Sequence, residues 1–388
     1  MNKQDLAGIR RELKADNTML QISDIYSVYL KKDNQEIIHS QFEYFDSMDS
    51  EKQELYLKNF KKILSGALDT KLFELDFVNI DDEDNTQNIL YSAVNNDRDT
   101  FREETDKIVN KIAENYKYET DVVITFIKAE YWKGASKRRN EEAEEAKDDS
   151  VFAFQFMMCS INKIEPPKKT LKFDYIEREF KASTALDFTI NLNSPLDGFM
   201  FPAFNNNSAD ANKVMYYTDK PKEINENFVK GLLDCGLKKT AQQEKEEFVG
   251  VLKTVVGEKI APETMQCIYE KLSEKLNDTE EESEVPVVSA ADVKEVLEES
   301  GIEDVDGVEE AYNEVIGDIN YEFKVQNIVP VMDTKSIKIS TEDISLSIAP
   351  KELKNIRKVK DSNGNTCLLI ELNDEVVIDG FEIPIGEI

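Results

Sequence analysis

Two apolar segments decide the fold of this 388-residue chain: TDVVITFIKAEYW at residues 120–132 and VFAFQFMMCSIN at residues 151–162. In the second segment Phe152, Phe154 and Phe156 recur at every second position, which is the spacing of one face of a β-strand. The residues between them add apolar bulk, and a strand that is apolar on both faces is usually central and covered on both sides. The pattern therefore predicts a central strand paired with the first segment.

The connection between these two strands, residues 133–150, is long and highly charged. We favour a mobile excursion of the chain over a functional loop, because such a length is unusual between paired strands. The excursion contains the only compact basic cluster, Lys137, Arg138 and Arg139, which is a candidate phosphate-binding patch. Acidic residues follow the cluster directly, and they weaken its attraction for an anion.

Outward from these strands, helical and β patterns occur in separate parts of the chain, which predicts an α+β fold. Helical spacing dominates after Pro221, and β-branched residues dominate the tail. The predicted organisation is a mixed α/β N-terminal domain (1–222), a helical middle region (223–318) with an acidic linker near 278–288, and a small β-rich C-terminal module (319–388).

Composition and charge exclude several classes of protein. The chain has 79 acidic and 48 basic residues, a formal net charge of −31, which disfavours direct binding to nucleic acid or an anionic membrane. From the N-terminal residues we expect no secretory signal. No apolar run is long enough to span a bilayer, and the four cysteines form no C-x-x-C pair. We expect a multidomain cytoplasmic protein with reduced thiols and a protein partner that the sequence does not identify.

Most catalytic signatures are missing from the sequence. His39 is the only histidine, and the sequence has no nucleophile elbow, P-loop or dinucleotide-binding glycine motif. We therefore expect no cofactor and no metal centre built from Cys and His. The one weak catalytic candidate is Asp174 with Glu179 and Lys181, which resembles a metal-nuclease core of the Asp…Glu-x-Lys type.

The least ordinary stretch of the chain is NSPLDGFMFPA at residues 193–203. Soluble proteins rarely expose an apolar run of this kind to water, so it belongs either to the core or to an interface with a partner. The candidate interaction residues are Phe199, Met200, Phe201, Pro202 and Phe204.

Four stretches carry a resemblance to a known family: IRRELK at 9–14, LDGFMFPAF at 196–204, YYT at 216–218 and ISLSI at 344–348. Together with a hairpin predicted at residues 376–383, they resemble the bacterial family described as domain of unknown function 4317. The matching stretches occur in the same order along essentially the whole chain. The GFMFPAF run is the most specific element. The resemblance implies a cytoplasmic bacterial protein, and it brings no catalytic residue, substrate or cofactor.

Three functions remain open at this point. The leading hypothesis is a non-enzymatic cytosolic interaction or regulatory protein. The first alternative is a metal-dependent hydrolase or nuclease that uses the Asp174, Glu179 and Lys181 carboxylate site. The second is an acidic decoy of nucleic acid, which would need the negative charge to be concentrated on one surface.

Overall fold

The computed structural model describes residues 1, 3–78, 84–115, 117–134, 151–167, 169–184, 187–205, 208–221, 223–277, 285–334, 336–372, 376–378 and 381–382. Contacts divide the chain into two units, Met1–Thr240 and Ala241–Ile388. Helices and mostly antiparallel strands occur in both units, which confirms the α+β class. Among the described residues, no helix is both long and apolar enough to cross a bilayer.

The first unit is a sheet with helices on each side. Its elements, in chain order, are α1 Lys3–Glu12, β1 Leu20–Leu30, β2 Ile37–Tyr44, α2 Ser50–Ile63, β3 Leu72–Asp76, α3 Thr86–Asn95, α4 Arg98–Asn115, β4 Val122–Gly134, β5 Val151–Glu165, β6 Lys169–Asp174, β7 Glu179–Thr184, β8 Thr189–Ile190, β9 Asp197–Phe201, β10 Ala203–Asn205, β11 Ser208–Asp210, β12 Lys213–Thr218 and a π-helical turn Asn227–Leu232.

The main sheet has the strand order β2-β1-β4-β5-β9-β12-β3, with antiparallel neighbours throughout. The strand β5 lies in the middle of this order, and its short neighbour β8 pairs with its end. The predicted central strand and its pairing with residues 120–132 are therefore confirmed.

Side-chain alternation along the strands separates two cores. Met157 and Cys159 of β5 pack with α3, α4 and the π-helical turn, whereas Phe156 and Met158 pack with α1 and α2. We call these sides the α3–α4 face and the α1–α2 face. Because successive residues of a strand point to opposite faces, a strand that is apolar throughout supplies both cores.

A β-bulge lets β1 serve both cores as well. Its register with β4 shifts between Ile22 and Asp24. Ile22 lies before the bulge and Ile25 after it, and both pack on the α1–α2 face. In a regular strand, residues three positions apart would point to opposite faces. The extra residue at a bulge causes this change of parity.

The second unit combines four longer helices with short hairpins. Its elements are α5 Ala241–Val256, α6 Pro262–Asn277, β13 Val287–Val288, α7 Ala290–Glu299, α8 Val308–Val315, β14 Phe323–Lys324, α9 Val325–Ile328, β15 Ile337–Ser340, β16 Ser345–Ile348, a 3₁₀ turn Pro350–Asn355, β17 Ile356–Lys360, β18 Thr366–Ile370, β19 Val377–Ile378 and β20 Phe381–Glu382.

The core of the second unit centres on Phe323, whose ring contacts Phe248 and Tyr312 edge-on. Ser289 and Asp292 form a capping box at the start of α7. The β17–β18 hairpin closes across residues 361–365.

One segment of the predicted helical region lies elsewhere. Phe228 and Leu232, at the start of the predicted region 223–318, belong to the core on the α3–α4 face of the first unit. Their short turn ends well before Ala241, where the first helix of the second unit begins.

Candidate functional site

The β6–β7 hairpin brings together the three residues predicted as a carboxylate site. Asp174 and Glu179 are cross-strand partners. The Lys181 Nζ lies 3.1 Å from an oxygen of Asp174 and 3.3 Å from an oxygen of Glu179, and it also contacts Glu177. The spacing in the sequence therefore does indicate a real cluster.

The surroundings of this cluster indicate a structural role. Asp174 Oδ1 accepts hydrogen bonds from the backbone N–H groups of Ile176, at 2.9 Å, and Glu177, at 3.1 Å. The Glu177 backbone bond and then the Lys181 ammonium lower the pKa of Asp174. The hairpin is exposed, and the described residues include no group of three His, Cys, Asp or Glu side chains that could hold a metal ion. The contacts of the cluster stabilise the turn between β6 and β7.

One side of the same hairpin is apolar and exposed. Leu171 and Ala182 are cross-strand partners, as are Phe173 and Phe180, whose ring centroids are 5.3 Å apart. Leu171 and Phe180 are each 76% exposed. Lys172 and Lys181 alternate with these residues and lie on the opposite side.

The tip of the hairpin extends this apolar surface. Tyr175 is 85% exposed and Ile176 is 93% exposed, and the Tyr175 ring lies 5.0 Å from that of Phe173. We define the hairpin patch by its five large apolar side chains: Leu171, Phe173, Tyr175, Ile176 and Phe180.

The predicted interaction segment has the opposite environment. Phe199, Met200, Phe201, Pro202 and Phe204 are all buried. Phe199 and Phe201 point to the α3–α4 face, and Met200 and Phe204 to the α1–α2 face. The segment is a core strand with its continuation, so these side chains have no accessible surface to offer a partner.

The other residues named from the sequence fall into two groups. Lys137, Arg138 and Arg139 lie outside the described residues. His39 is exposed on β2 and pairs with Tyr29 of β1.

A cleft with a volume of about 690 Å³ lies at one end of the main sheet. It lies where β4 and β9 begin and where β5 and β12 end. Its charged and polar lining includes Lys117, Glu119, Lys163, Asp197, Thr218, Asp219, Lys220, Glu223, Asn225, Glu226 and Asn227.

Asp197 is the buried carboxyl group of this cleft and is only 4% exposed. Its Oδ1 accepts a 2.6 Å hydrogen bond from the hydroxyl of Tyr216, and the Asn225 side chain also bonds to the carboxylate. Burial raises the pKa of Asp197 to about 7, because removal from water penalises the charged form more than these hydrogen bonds stabilise it. A carboxyl group that titrates near neutral pH in a cleft is a typical feature of functional sites.

The sequence reasoning missed this cleft. Asp197 and Tyr216 lie in two of the stretches that carry the family resemblance, but neither was singled out as a site residue. The sequence did contain a signal: Asp197 is the only acidic residue in the apolar run LDGFMF, and this run forms a buried strand. Its partners come from residues 19 or more positions away, and only the fold brings them together.

Comparison with known proteins gives a family. A family profile with the description "domain of unknown function (DUF4317)" matches residues 1–381. A search of curated proteins found no match. The match spans both units of the structure, and the chain belongs to the DUF4317 family.

Proposed function

We propose that this protein is a non-enzymatic cytosolic interaction or regulatory protein, which binds a partner protein through the hairpin patch. The observation that carries the proposal is the exposure of the five patch side chains, which ranges from 42% to 93% on a single two-stranded hairpin. Scattered exposed apolar residues are ordinary, but a contiguous patch marks a binding surface.

The arrangement of charged and apolar side chains on the hairpin supports a binding surface. Lys172, Asp174, Glu179 and Lys181 lie on one side of the two strands. Leu171, Phe173, Phe180 and Ala182 lie on the other side, with Lys169 at its end. This is the pattern of a strand pair with one solvated side and one covered side. Ring contacts within the patch hold Phe173 against both Tyr175 and Phe180, so a partner would meet a preformed aromatic surface.

Local charge indicates the chemistry of the partner. The hairpin, residues 169–184, has four basic and three acidic residues, whereas the whole chain has 48 basic and 79 acidic residues. At physiological ionic strength, charges more than about 8 Å away are largely screened, so the hairpin's own charges dominate its contacts. Lys169 is exposed and lies on the same side of β6 as Leu171 and Phe173. The partner surface that fits is therefore an apolar groove with an acidic group at the edge that meets Lys169.

A second copy of the chain fits less well. Two hairpins that meet bring together the same local excess of basic residues, and like charges repel each other. The proposed partner is therefore a different protein.

The test compares two double variants of the full chain. Leu171→Ala with Phe180→Ala removes the centre of the hairpin patch. Leu55→Ala with Tyr91→Ala, the matched control, removes two apolar side chains that are 52% and 55% exposed on α2 and α3. A protein that the wild-type chain retains from a cell lysate is identified and purified. It is then titrated against the wild type and the two double variants.

We expect the patch variant to weaken binding of the purified partner at least tenfold and the control to bind like the wild type. Equal binding by all three chains would overturn the proposal, as would failure of the wild-type chain to retain any protein. Sedimentation velocity supplies the other decisive outcome: a wild-type dimer that the patch variant dissociates would assign the patch to self-association.

A further inference from the structure

The Asp197 cleft lies outside the proposed partner surface and has the features of a small-molecule site. Its volume of about 690 Å³ is within the range of ligand pockets in proteins. Its floor holds a buried carboxyl group, and its walls come from several strand ends that the main sheet fixes in place.

The polar floor of the cleft is rigid. Tyr216, which donates to Asp197, stacks on Phe228 with a centroid distance of 5.3 Å. Around it, the backbone N–H of Asp219 bonds to the carbonyl of Leu196 at 3.0 Å. A ligand would therefore meet Asp197 in a fixed position, which lowers the entropic cost of binding.

The charge of the lining favours a cation over an anion. The titratable groups that line the cleft or lie close to Asp197 come from every element around the cleft. They are Cys159 and Lys163 of β5, Lys117 and Glu119 before β4, Tyr216 of β12, Asp219 and Lys220 after it, and Glu223 and Glu226 before the π-helical turn. Five carboxyl groups, with Asp197, oppose three ammonium groups.

We propose that the cleft binds a small organic ligand through a protonated amine group, which pairs with the buried Asp197 carboxylate. An ion pair with the ligand would place a positive charge in contact with this carboxylate, which Lys220 attracts without an ion pair. The three lysines do not supply it, since no ion pair joins any of them to Asp197 among the described contacts. The carboxylates of the outer lining attract the same cationic group towards the cleft.

The proposal has a consequence for pH dependence. The pKa of Asp197 is about 7 in the free protein, so a bound cation shifts the group towards its ionised form and releases a proton. An alkyl amine like that of lysine stays protonated up to a pH of about 10. The affinity should therefore rise about tenfold between about pH 6 and pH 8 and then level off, since ionisation of one group with this pKa increases about tenfold over that range.

The experiment uses the full-length protein and two probes of matched shape. Isothermal titration measures the binding of 1,5-diaminopentane and of 1,5-pentanediol, in which hydroxyl groups replace the amines. Each titration is repeated at pH 6, 7 and 8, and at pH 7 in two buffers of different ionisation enthalpy, which reports the protons released. For the wild type we expect binding of the diamine alone, with about half a proton released at pH 7.

Two variants complete the test. Asp197→Asn keeps an oxygen acceptor for Tyr216 and should lose diamine binding at least tenfold together with its pH dependence. Glu103→Gln on α4, the charge-matched control, removes an exposed carboxylate outside the cleft and should bind like the wild type. The wild-type titrations decide the question even if the Asp197 variant does not fold.

Three results would each overturn the proposal. They are equal binding of the diol and the diamine, an affinity that does not change between pH 6 and 8, and an equal loss of binding in the two variants. The last result would mean that the diamine responds only to the net charge of −31.

Discussion

Two aromatic segments of the first unit, fewer than 15 residues apart, have opposite environments. In the core segment, residues 197–204, Phe199 is fully buried, whereas in the β6–β7 hairpin Phe180 is 76% exposed. Both segments are β-structure with large apolar side chains. Their difference lies in the residues between the aromatic ones.

In the hairpin, charged residues alternate with the apolar ones, so each strand can fill one side only. In the core segment, successive apolar residues leave no polar side, and helices cover both faces of β9. The alternation distinguishes a strand that is buried within its own chain from a strand whose apolar side is open to a partner. The following predictions test this distinction from its strongest to its weakest expected effect.

Phe199→Ala should cause the largest loss of stability. Its ring packs in the core on the α3–α4 face, and removing it leaves a cavity that costs about 3–5 kcal/mol in the free energy of unfolding. Trp132, the only tryptophan, lies in β4 of the same sheet, so urea unfolding followed by its fluorescence reports this unit. A loss below about 1 kcal/mol would contradict the buried position of the ring.

Asp197→Asn should remove a pH dependence of stability. An unfolded Asp titrates near 3.9 and the folded group near 7, so between these values the folded state binds more protons than the unfolded state. Ionisation therefore destabilises the fold as pH rises through this window and adds nothing further above it. Between pH 5 and 8 the wild type should lose about 3 kcal/mol more than the variant. Urea unfolding of both proteins at the two pH values measures the difference, and parallel profiles would show that Asp197 does not titrate in this window.

Gly198→Ala should have an intermediate effect. A Cβ on Gly198 would lie 2.5 Å from the Cys159 backbone oxygen and 2.5 Å from Ile63 Cδ1, so β9 would have to move away from β5 and α2. Overpacking of this kind costs about 1–3 kcal/mol. The control is Gly236→Ala, whose nearest contact would be at 3.9 Å. Adding Ile63→Val, which removes the Cδ1 atom, should recover part of the loss; no recovery would place the whole conflict at the backbone oxygen.

The pattern of residues predicted the fold class and many individual elements. The paired strands β4 and β5, the hairpin of β1 with β2 and the capping box of α7 depend on local spacing and turn chemistry, which a single sequence displays directly. The position of Phe228 in the first unit was not predictable in this way. A helical pattern shows which side is apolar but not which core covers it.

The candidate sites were predictable only in part. Asp174 and Lys181 lie together in the β6–β7 hairpin, but their exposure depends on whether another element covers the hairpin. For Asp197 the site consists of Tyr216 and Asn225 brought against it by the sheet, and the burial that raises its pKa is a property of the whole fold. The sequence shows the acid, and tertiary packing determines its chemistry.

The smallest effect is expected for Phe180→Ala, and it completes the contrast with Phe199. The ring contacts only its hairpin neighbour Phe173 among the described ring pairs, and most of its surface is exposed. The free energy of unfolding should therefore change by no more than about 0.5 kcal/mol, as for ordinary surface substitutions. Urea unfolding followed by Trp132 fluorescence measures this change beside that of Phe199→Ala. If Phe180→Ala instead costs more than about 2 kcal/mol, the ring is covered within the folded protein, and the hairpin patch is part of a core instead of a surface for a partner.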